Sequence, residues 1–591
     1  MKKFFVSVFA AMMGFFLSLG IILFLGFIMM AAAIATSDSK PNLKDNTVLH
    51  IKLNGAVTEQ AQENPLQELM GDQSESIAVN QILEAVKKAA HIDKIKGIYF
   101  EGGILTSDPA SLQEIRKALL EFKKSGKFIY SYADTYTQGA YYLCSTADKV
   151  SINPDGLLDW HGLSSEPVFY KDLLAKLGIK MQVFKVGTFK SAVEPFTNTE
   201  MSDANREQVT SFLNSIWKNY VKEVSDSRKL PADTLQALAD RFMALQDATD
   251  LVKSKMVDTL VYLDGAKATL RDFAGLKDDK DKLNLLSPAE VCQLDDPKEK
   301  DSKNKVAVYY AYGDIVDAPT QGFNQSAQIV GIKVVKDLQK LEDNEDVKAV
   351  VLRINSGGGS AYASEQMWHA IQKLDKKKPV IISMGGLAAS GGYYMSSAGQ
   401  YIFAEPTTLT GSIGIFGMIP DASELLTKKI GLKYDNVKTN KMSDFGATGR
   451  PFNAEESALF QKRIEAGYAL FLKRVSQGRK KTPEQIDKIG QGRVWTGEQA
   501  LGIGLVDKLG TLDDAIAYAA KKAKIEKDYQ TKEYPLSEPW YMNILNKTKS
   551  NYYSSQLRET LGEYYEPFMM LKGIKDNNPI QARLPFELNI K

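Results

Sequence analysis

The serine in "LAASGGYYMSSAG" (residues 387–399) follows the apolar run Val380-Ile381-Ile382 and precedes two glycines, a setting that suits either a turn residue or a nucleophile. A serine hydroxyl attacks poorly at neutral pH unless a base lies within hydrogen-bond reach. Histidine is the usual base, yet the four histidines are His50, His91, His161 and His369, and none follows Ser390. Lysine can replace it when the amine is neutral. At a reference pKa of about 10.4, only about four lysines in ten thousand are neutral at pH 7, whereas apolar burial lowers that pKa by up to several units. Lys190, flanked by Val186, Phe189, Ala192, Val193 and Phe196, has the neighbours for such a pocket. A third requirement is a pair of backbone donors for an oxyanion. "VLRINSGGGSAYASEQMWHAIQKL" reads as a strand, a glycine-rich turn and an amphipathic helix, so the amides of Gly358 and of Gly391 are the candidate donors, with glycine allowing close approach.

The elements that must position these groups occur twice. "IDKIKGIYFEGG", "KFIYSYADTYTQGAYYLCSTADKVSINPDGLLDWHGL" and "FYKDLLAKLGIKMQVFKVGTFKS" run parallel to "NEDVKAVVLRINSGGG", "PVIISMGGLAASGGYYMSSAGQYIFAEPTTLTGSIGI" and "ASELLTKKIGLKYDNVKTNKMSD". Gln138 aligns with Ser390 at an offset of 390 − 138 = 252, and Lys96 aligns with Lys348 at the same offset. Helical patterns over 201–229 and 452–480 end in "VSDSRK" and "VSQGRK". Each half reads as α/β with mostly parallel pairing, its strands short apolar runs bounded by Gly or Pro. The organisation expected is an N-terminal anchor (1–37), a first repeat (46–276), a charged linker (277–304), a second repeat (305–524) and a tail (525–591).

Where the copies disagree, chemistry is localised. Gln138 cannot be a nucleophile, so any serine chemistry belongs to the second half. Allowing one residue of slippage, Ser443 stands where the first half has Lys190. Each half therefore keeps one partner of a Ser/Lys pair, and the site is expected at a junction between the halves. Tyr393 and Tyr394 recur as Tyr141 and Tyr142 in the half without the serine, which indicates packing rather than catalysis. His161 and His369 read as ordinary polar histidines, and Lys185 as a solvated one.

At 591 residues the chain exceeds one hydrophobic core. A net charge of +2 offers no footprint for nucleic acid, and two cysteines, Cys144 and Cys292, make neither a disulfide framework nor a zinc site. After Lys2 and Lys3 no charge appears until Asp38. That stretch is long enough to cross a bilayer, which takes about 20 apolar residues, and longer than the apolar region of a cleavable signal, although the run 31–35 leaves cleavage open. The leading lysines predict a cytoplasmic N-terminus with the body on the far side of the membrane.

The anchor, both halves, "VGTFKSAVEPF", "INSGGGS", "LAASGGYY", "TLTGSIGIFG" and "GRVWTGEQALGIGLVDKLG" together resemble the signal peptide peptidase family, also called protease IV, in its long two-half membrane-anchored form. The resemblance implies Ser390 as nucleophile, Lys190 as general base and Ser412 as the residue that orients the lysine amine; without it, "TGSIG" is a turn suited to any fold. It further implies two tandem Clp protease/crotonase-like domains, a homotetramer, no metal or organic cofactor, and cleavage of signal peptide remnants at a bacterial inner membrane, with the catalytic body on the periplasmic side. Glycine stands at 357 where the family's turn usually has proline, which loosens the turn by about 0.4–1 kcal/mol without removing a donor. Shorter relatives carry the base in the same half as the serine, so Lys441 or Lys438 remains an alternative.

Other enzyme classes fit poorly. A Clp-type Ser-His-Asp site lacks its histidine, Ser215-Ile-Trp-Lys218 has no accompanying Lys-Thr-Gly box, and no Gly-x-Ser-x-Gly elbow occurs. The competing reading from another class is a non-catalytic membrane-anchored scaffold that binds extended peptides or acyl ligands in the same grooves.

Overall fold

In a computed structural model, the described residues are 9, 12–22, 24–26, 41–61, 77–278, 281–298, 301–319, 327–535 and 579–584. Most of the expected anchor falls outside them. Among the described residues no helix is long and apolar enough to cross a membrane.

Two large sheets carry the two halves. The first runs Ile77–Ala78, Thr47–Thr58, Ile95–Thr106, Phe128–Tyr136, Lys149–Leu158 and Thr259–Leu260, all parallel, and Asn284–Leu286, from within the expected linker, also pairs with Thr47–Thr58. The second runs Val494–Thr496, Leu409–Gly411, Val380–Ala389, Val347–Ser356, Lys305–Tyr312 and Gln530–Tyr534, parallel except at Val494–Thr496. The unbroken apolar run in Val347–Ser356 has a simple cause. Val350, Leu352 and Ile354 enter one hydrophobic cluster while Ala349 and Val351 enter another, so both faces of the strand are buried.

The duplication extends to side chains. Helices Asp203–Arg228 and Ala454–Arg479 each span 26 residues and each ends on a lysine in the left-handed region, Lys229 and Lys480. Lys96 Nζ donates to the Asp93 carbonyl as Lys348 Nζ does to that of Glu345. Tyr141 donates its hydroxyl to the Met256 carbonyl and Tyr393 to that of Leu505, each at 2.8 Å, in line with a packing role for the repeated tyrosines.

Within this chain the halves interlock. A third, smaller sheet contains Lys180–Lys185 from the first half, paired antiparallel with Phe416–Asp421 from the second. Arg353 of the second half is clamped at 2.9 Å by Glu59 and at 2.6 Å by Glu114, both from the first. This interlocking carries Lys190, five residues beyond the end of the Lys180–Lys185 strand, into the second half.

Candidate active site

Ser390 sits between the strand Val380–Ala389 and the short helix Gly391–Ser396, at φ 53° and ψ −111°. A serine with positive φ is a strained backbone that its surroundings must hold in place. Here its N–H donates to the Gly411 carbonyl at 2.8 Å and its carbonyl accepts the Tyr394 N–H at 2.7 Å. Ser412 is also left-handed, at φ 47°, with its N–H donating to the Arg493 carbonyl at 2.7 Å.

Lys190 Nζ lies 2.8 Å from Ser390 Oγ, 2.9 Å from Ser412 Oγ and 3.2 Å from the Ser412 carbonyl. Ser390, Ser412 and Lys190 are all 0 % exposed. Burial holds the Lys190 amine well below the ordinary lysine value, and among the described residues no carboxylate restores it. The three contacts match a neutral amine: its lone pair accepts the Ser390 O–H, and its two N–H groups donate to the Ser412 hydroxyl and carbonyl oxygens. Of the apolar neighbours expected around the lysine, Val193 and Phe196 are buried in a cluster with Phe416 and Met418 of the second half.

The loop bearing Lys190 is fixed from both halves. Phe189 N–H donates to the Gln491 carbonyl at 2.9 Å. Gln208, on the Asp203–Arg228 helix, donates from Nε2 to the Phe189 carbonyl at 3.1 Å and to Ser191 Oγ at 2.9 Å, while its Oε1 accepts the Val494 N–H at 3.1 Å. One turn earlier, Asn205 Oδ1 accepts Ser191 O–H at 2.9 Å and its Nδ2 donates to Glu194 at 3.0 Å. Neither residue was singled out from sequence. The available signal was their i, i+3 spacing, which places both amides on one helix face. Gly492 (φ 80°) presses on the same loop, because a Cβ there would lie 2.6 Å from the Lys190 backbone nitrogen. Gly492→Ala is therefore expected to displace the lysine and lower kcat by about 10²-fold, the order seen for a misplacement near 1 Å, with KM for a peptide substrate little changed; steady-state kinetics check this.

The candidate oxyanion donors adjoin each other. A Cβ on Gly358 (φ 99°) would lie 2.7 Å from the Gly391 nitrogen, so only glycine fits at 358. The expectation of free N–H groups in this turn needs one correction: Gly358 N–H donates to Ser356 Oγ at 3.1 Å, whose hydroxyl in turn donates to the Gly313 carbonyl at 2.6 Å. The serine, close by in the turn, reaches this amide before any ligand does. Ser360 caps the following helix by accepting the Ala363 N–H.

The remaining candidates lie elsewhere. Lys438 pairs with Asp444 at 2.6 Å and Lys441 with Glu455 at 2.5 Å, both exposed, and Lys185 is exposed as well. In the first half Gln138 occupies the place of Ser390 and ties down a turn: its Oε1 accepts the amides of His161 and Gly162, and its Nε2 donates to the Gly162 carbonyl. His161 contacts Asp159, and His369 is exposed.

The family model described as Peptidase family S49 matches the chain twice, over residues 121–277 and 372–526, and a Clp protease model matches residues 323–409. "Protease 4" of Haemophilus influenzae is 35 % identical over 594 aligned residues, covering 96 % of this chain and 93 % of that protein. "Protease 4" of Salmonella typhi is 36 % identical over 513 residues, covering 84 % and 80 %. The chloroplastic "Serine protease SPPA" of Arabidopsis thaliana is 29 % identical over 503 residues, covering 84 % and 72 %.

Proposed function

Since the chain belongs to peptidase family S49, in the two-half signal peptide peptidase form, and is a serine protease, we propose that Ser390 is its nucleophile, Lys190 its general base and Ser412 the residue that orients the lysine. The observation that supports this most is the 2.8 Å approach of Lys190 Nζ to Ser390 Oγ across the junction of the halves, at a buried position that keeps the amine neutral. Ser390 Oγ attacks the scissile carbonyl as Lys190 takes its proton, and the developing oxyanion is received at the Gly391 N–H. Lys190 then returns the proton to the departing amine, leaving an acyl-enzyme ester. Water attacks the ester with the same lysine as base, and the proton passes back to Ser390. No step calls for a metal or organic cofactor.

The domain assignment follows: residues 46–276 supply the base and 305–524 the nucleophile. Substrates are extended apolar peptides, signal peptide remnants among them, bound by strand pairing. The protease is anchored by its N-terminal apolar stretch in a bacterial inner membrane with its body on the periplasmic side. The exposed Phe15, Phe16, Leu17, Ile21 and Ile22 support that placement. Assembly as a homotetramer is supported by the exposed apolar side chains Ile430, Leu432, Tyr434, Val437 and Phe445.

A fluorophosphonate probe tests the assignment. Label is expected on Ser390, and the labelling rate should rise tenfold per pH unit below the lowered pKa of Lys190 and level off above it. Absence of label on Ser390 in folded protein would leave the assignment without a nucleophile.

A further inference from the structure

One first-half side chain holds both neighbours of the base. Gln208, on the helix Asp203–Arg228, is 0 % exposed. Its Nε2 donates to the Phe189 carbonyl at 3.1 Å, to Ser191 Oγ at 2.9 Å and to Asn205 Oδ1 at 3.1 Å, so the residues before and after Lys190 share one amide. Its Oε1 accepts the Val494 N–H at 3.1 Å. Val494–Thr496 is an edge strand of the second large sheet, and the amide oxygen takes an N–H of that edge. Three oxygens face the nitrogen end and one N–H faces the oxygen end, so a single amide orientation satisfies all four partners.

The far end of this link lies among the backbone that holds both serines. Val494 pairs with Gly411 across the strands, the Gly411 carbonyl accepts the Ser390 N–H, and the Arg493 carbonyl accepts the Ser412 N–H. Phe189 is engaged on every side: its N–H by the Gln491 carbonyl, its carbonyl by Gln208, and its ring by the Arg493 guanidinium at 4.8 Å. The duplicate helix Ala454–Arg479 has Leu459 where the first half has Gln208, at an offset of 459 − 208 = 251 that also matches the N-caps Ser202 and Asn453. Leu459 is 51 % exposed and has no amide to offer. The amide therefore stands only where the adjoining loop bears the base. The first-half helix meets the second half at two further points, where Ser211 Oγ accepts Gln499 Nε2 at 3.0 Å and Ser215 Oγ lies 3.0 Å from Thr496 Oγ1. Those bonds dock the halves without touching the Lys190 loop.

We propose that Gln208 is a positioning residue for the general base, setting the reach of Lys190 to Ser390 by tying Phe189 and Ser191 to Val494. The proposal rests on the Ser390/Lys190 reading of the site. It makes the geometry of the dyad depend on one buried amide that spans the junction, in addition to the general docking of the halves.

Steady-state kinetics and fluorophosphonate labelling of Ser390, both on the full-length chain, test this. Gln208→Leu should lower kcat by about 10²-fold, the order expected for a misplacement near 1 Å, with KM for a peptide substrate unchanged within about twofold. The labelling rate should fall by the same factor, and the midpoint of its pH profile should move up toward that of an ordinary lysine, because a released loop lets water reach the amine. Gln208→Asn, whose amide is one methylene too short to span both sides, should move both readouts in the same direction, and it keeps a polar group for the buried partners where the leucine variant fails to fold. Ser215→Ala, which removes a bond between the same helix and the same strand, should leave kcat, KM and the pH midpoint at wild-type values. Wild-type kcat and midpoint in folded Gln208→Leu or Gln208→Asn, or an equal loss in Ser215→Ala, overturns the positioning role, while label on wild-type Ser390 leaves the nucleophile standing. Absence of label on wild-type Ser390 overturns the nucleophile and the positioning role together.

Discussion

Lys190→Ala is expected to lower kcat/KM on an unfolded peptide substrate by about 10⁴-fold, the upper range for loss of a general base, while the protein stays folded. The loss is large because among the described residues no other base is placed to replace it: the Ser390 hydroxyl has Lys190 Nζ at 2.8 Å and the Gly414 carbonyl at 3.5 Å, and Lys441 and Lys438 are engaged on the surface. Stability should move the other way. An amine buried without a counter-charge is costly in its protonated form, so the variant sheds a penalty that the wild type carries at neutral and acid pH. The sign follows from proton counting. Between the lowered folded pKa and the unfolded value near 10.5, the unfolded chain binds a proton that the folded chain does not, so wild-type stability rises with pH through that window and falls as pH drops toward the folded pKa. That slope should be smaller in Lys190→Ala, and Lys190→Met should behave the same way with less cavity. Thermal melts over pH and steady-state kinetics test both halves of the expectation. Wild-type activity in Lys190→Ala would redirect attention to Lys441.

How much of this could be read from residues alone depended on whether a feature was local. The two-half repeat, its parallel strands and the 26-residue helices were legible because each leaves a periodic pattern within its own segment. The Ser/Lys pair was legible for a different reason: the copies disagree at Gln138 and Ser390, and disagreement between duplicates marks where their constraints differ. The features that escaped are pairings between distant segments. Gln208 and Asn205 look like any polar residues on a half-exposed helix, and only the packed loop makes them buried struts. "PIQAR" carries no strand signal of its own; it extends because two sheet edges on either side supply its hydrogen bonds. Lys180–Lys185 is legible as a strand but not as one that crosses into the sheet of the other half.

That crossing points to the second large effect. Arg353→Ala is expected to destabilise the chain by about 3–5 kcal/mol, the cost of removing one partner from a buried ion cluster and leaving the other charges uncompensated. Glu59 and Glu114 would both remain, each almost fully buried between the halves. The consequence should reach the site, because Glu59 Oε1 also accepts Asn355 Nδ2 at 2.8 Å and Asn355 Oδ1 accepts the Leu387 N–H at 3.0 Å, linking the cluster to the turn before Gly358 and to the strand leading to Ser390. A rise in KM together with a lower kcat should therefore accompany the lower urea midpoint. The pH dependence gives the diagnosis. Burial already raises the Glu59 pKa against the opposing pull of Arg353, and without the guanidinium it rises further. A carboxyl whose folded pKa exceeds its unfolded value is most favourable below the unfolded value near 4.5, and its contribution is lost as pH rises through the folded pKa. The gap between Arg353→Ala and wild type should thus be widest at neutral pH and narrow toward pH 4.5. Adding Glu59→Gln and Glu114→Gln to Arg353→Ala should recover much of the loss, since neutral amides in the same shape need no counter-charge; a triple variant as unstable as the single one would place the damage in the cavity rather than in the unpaired carboxylates.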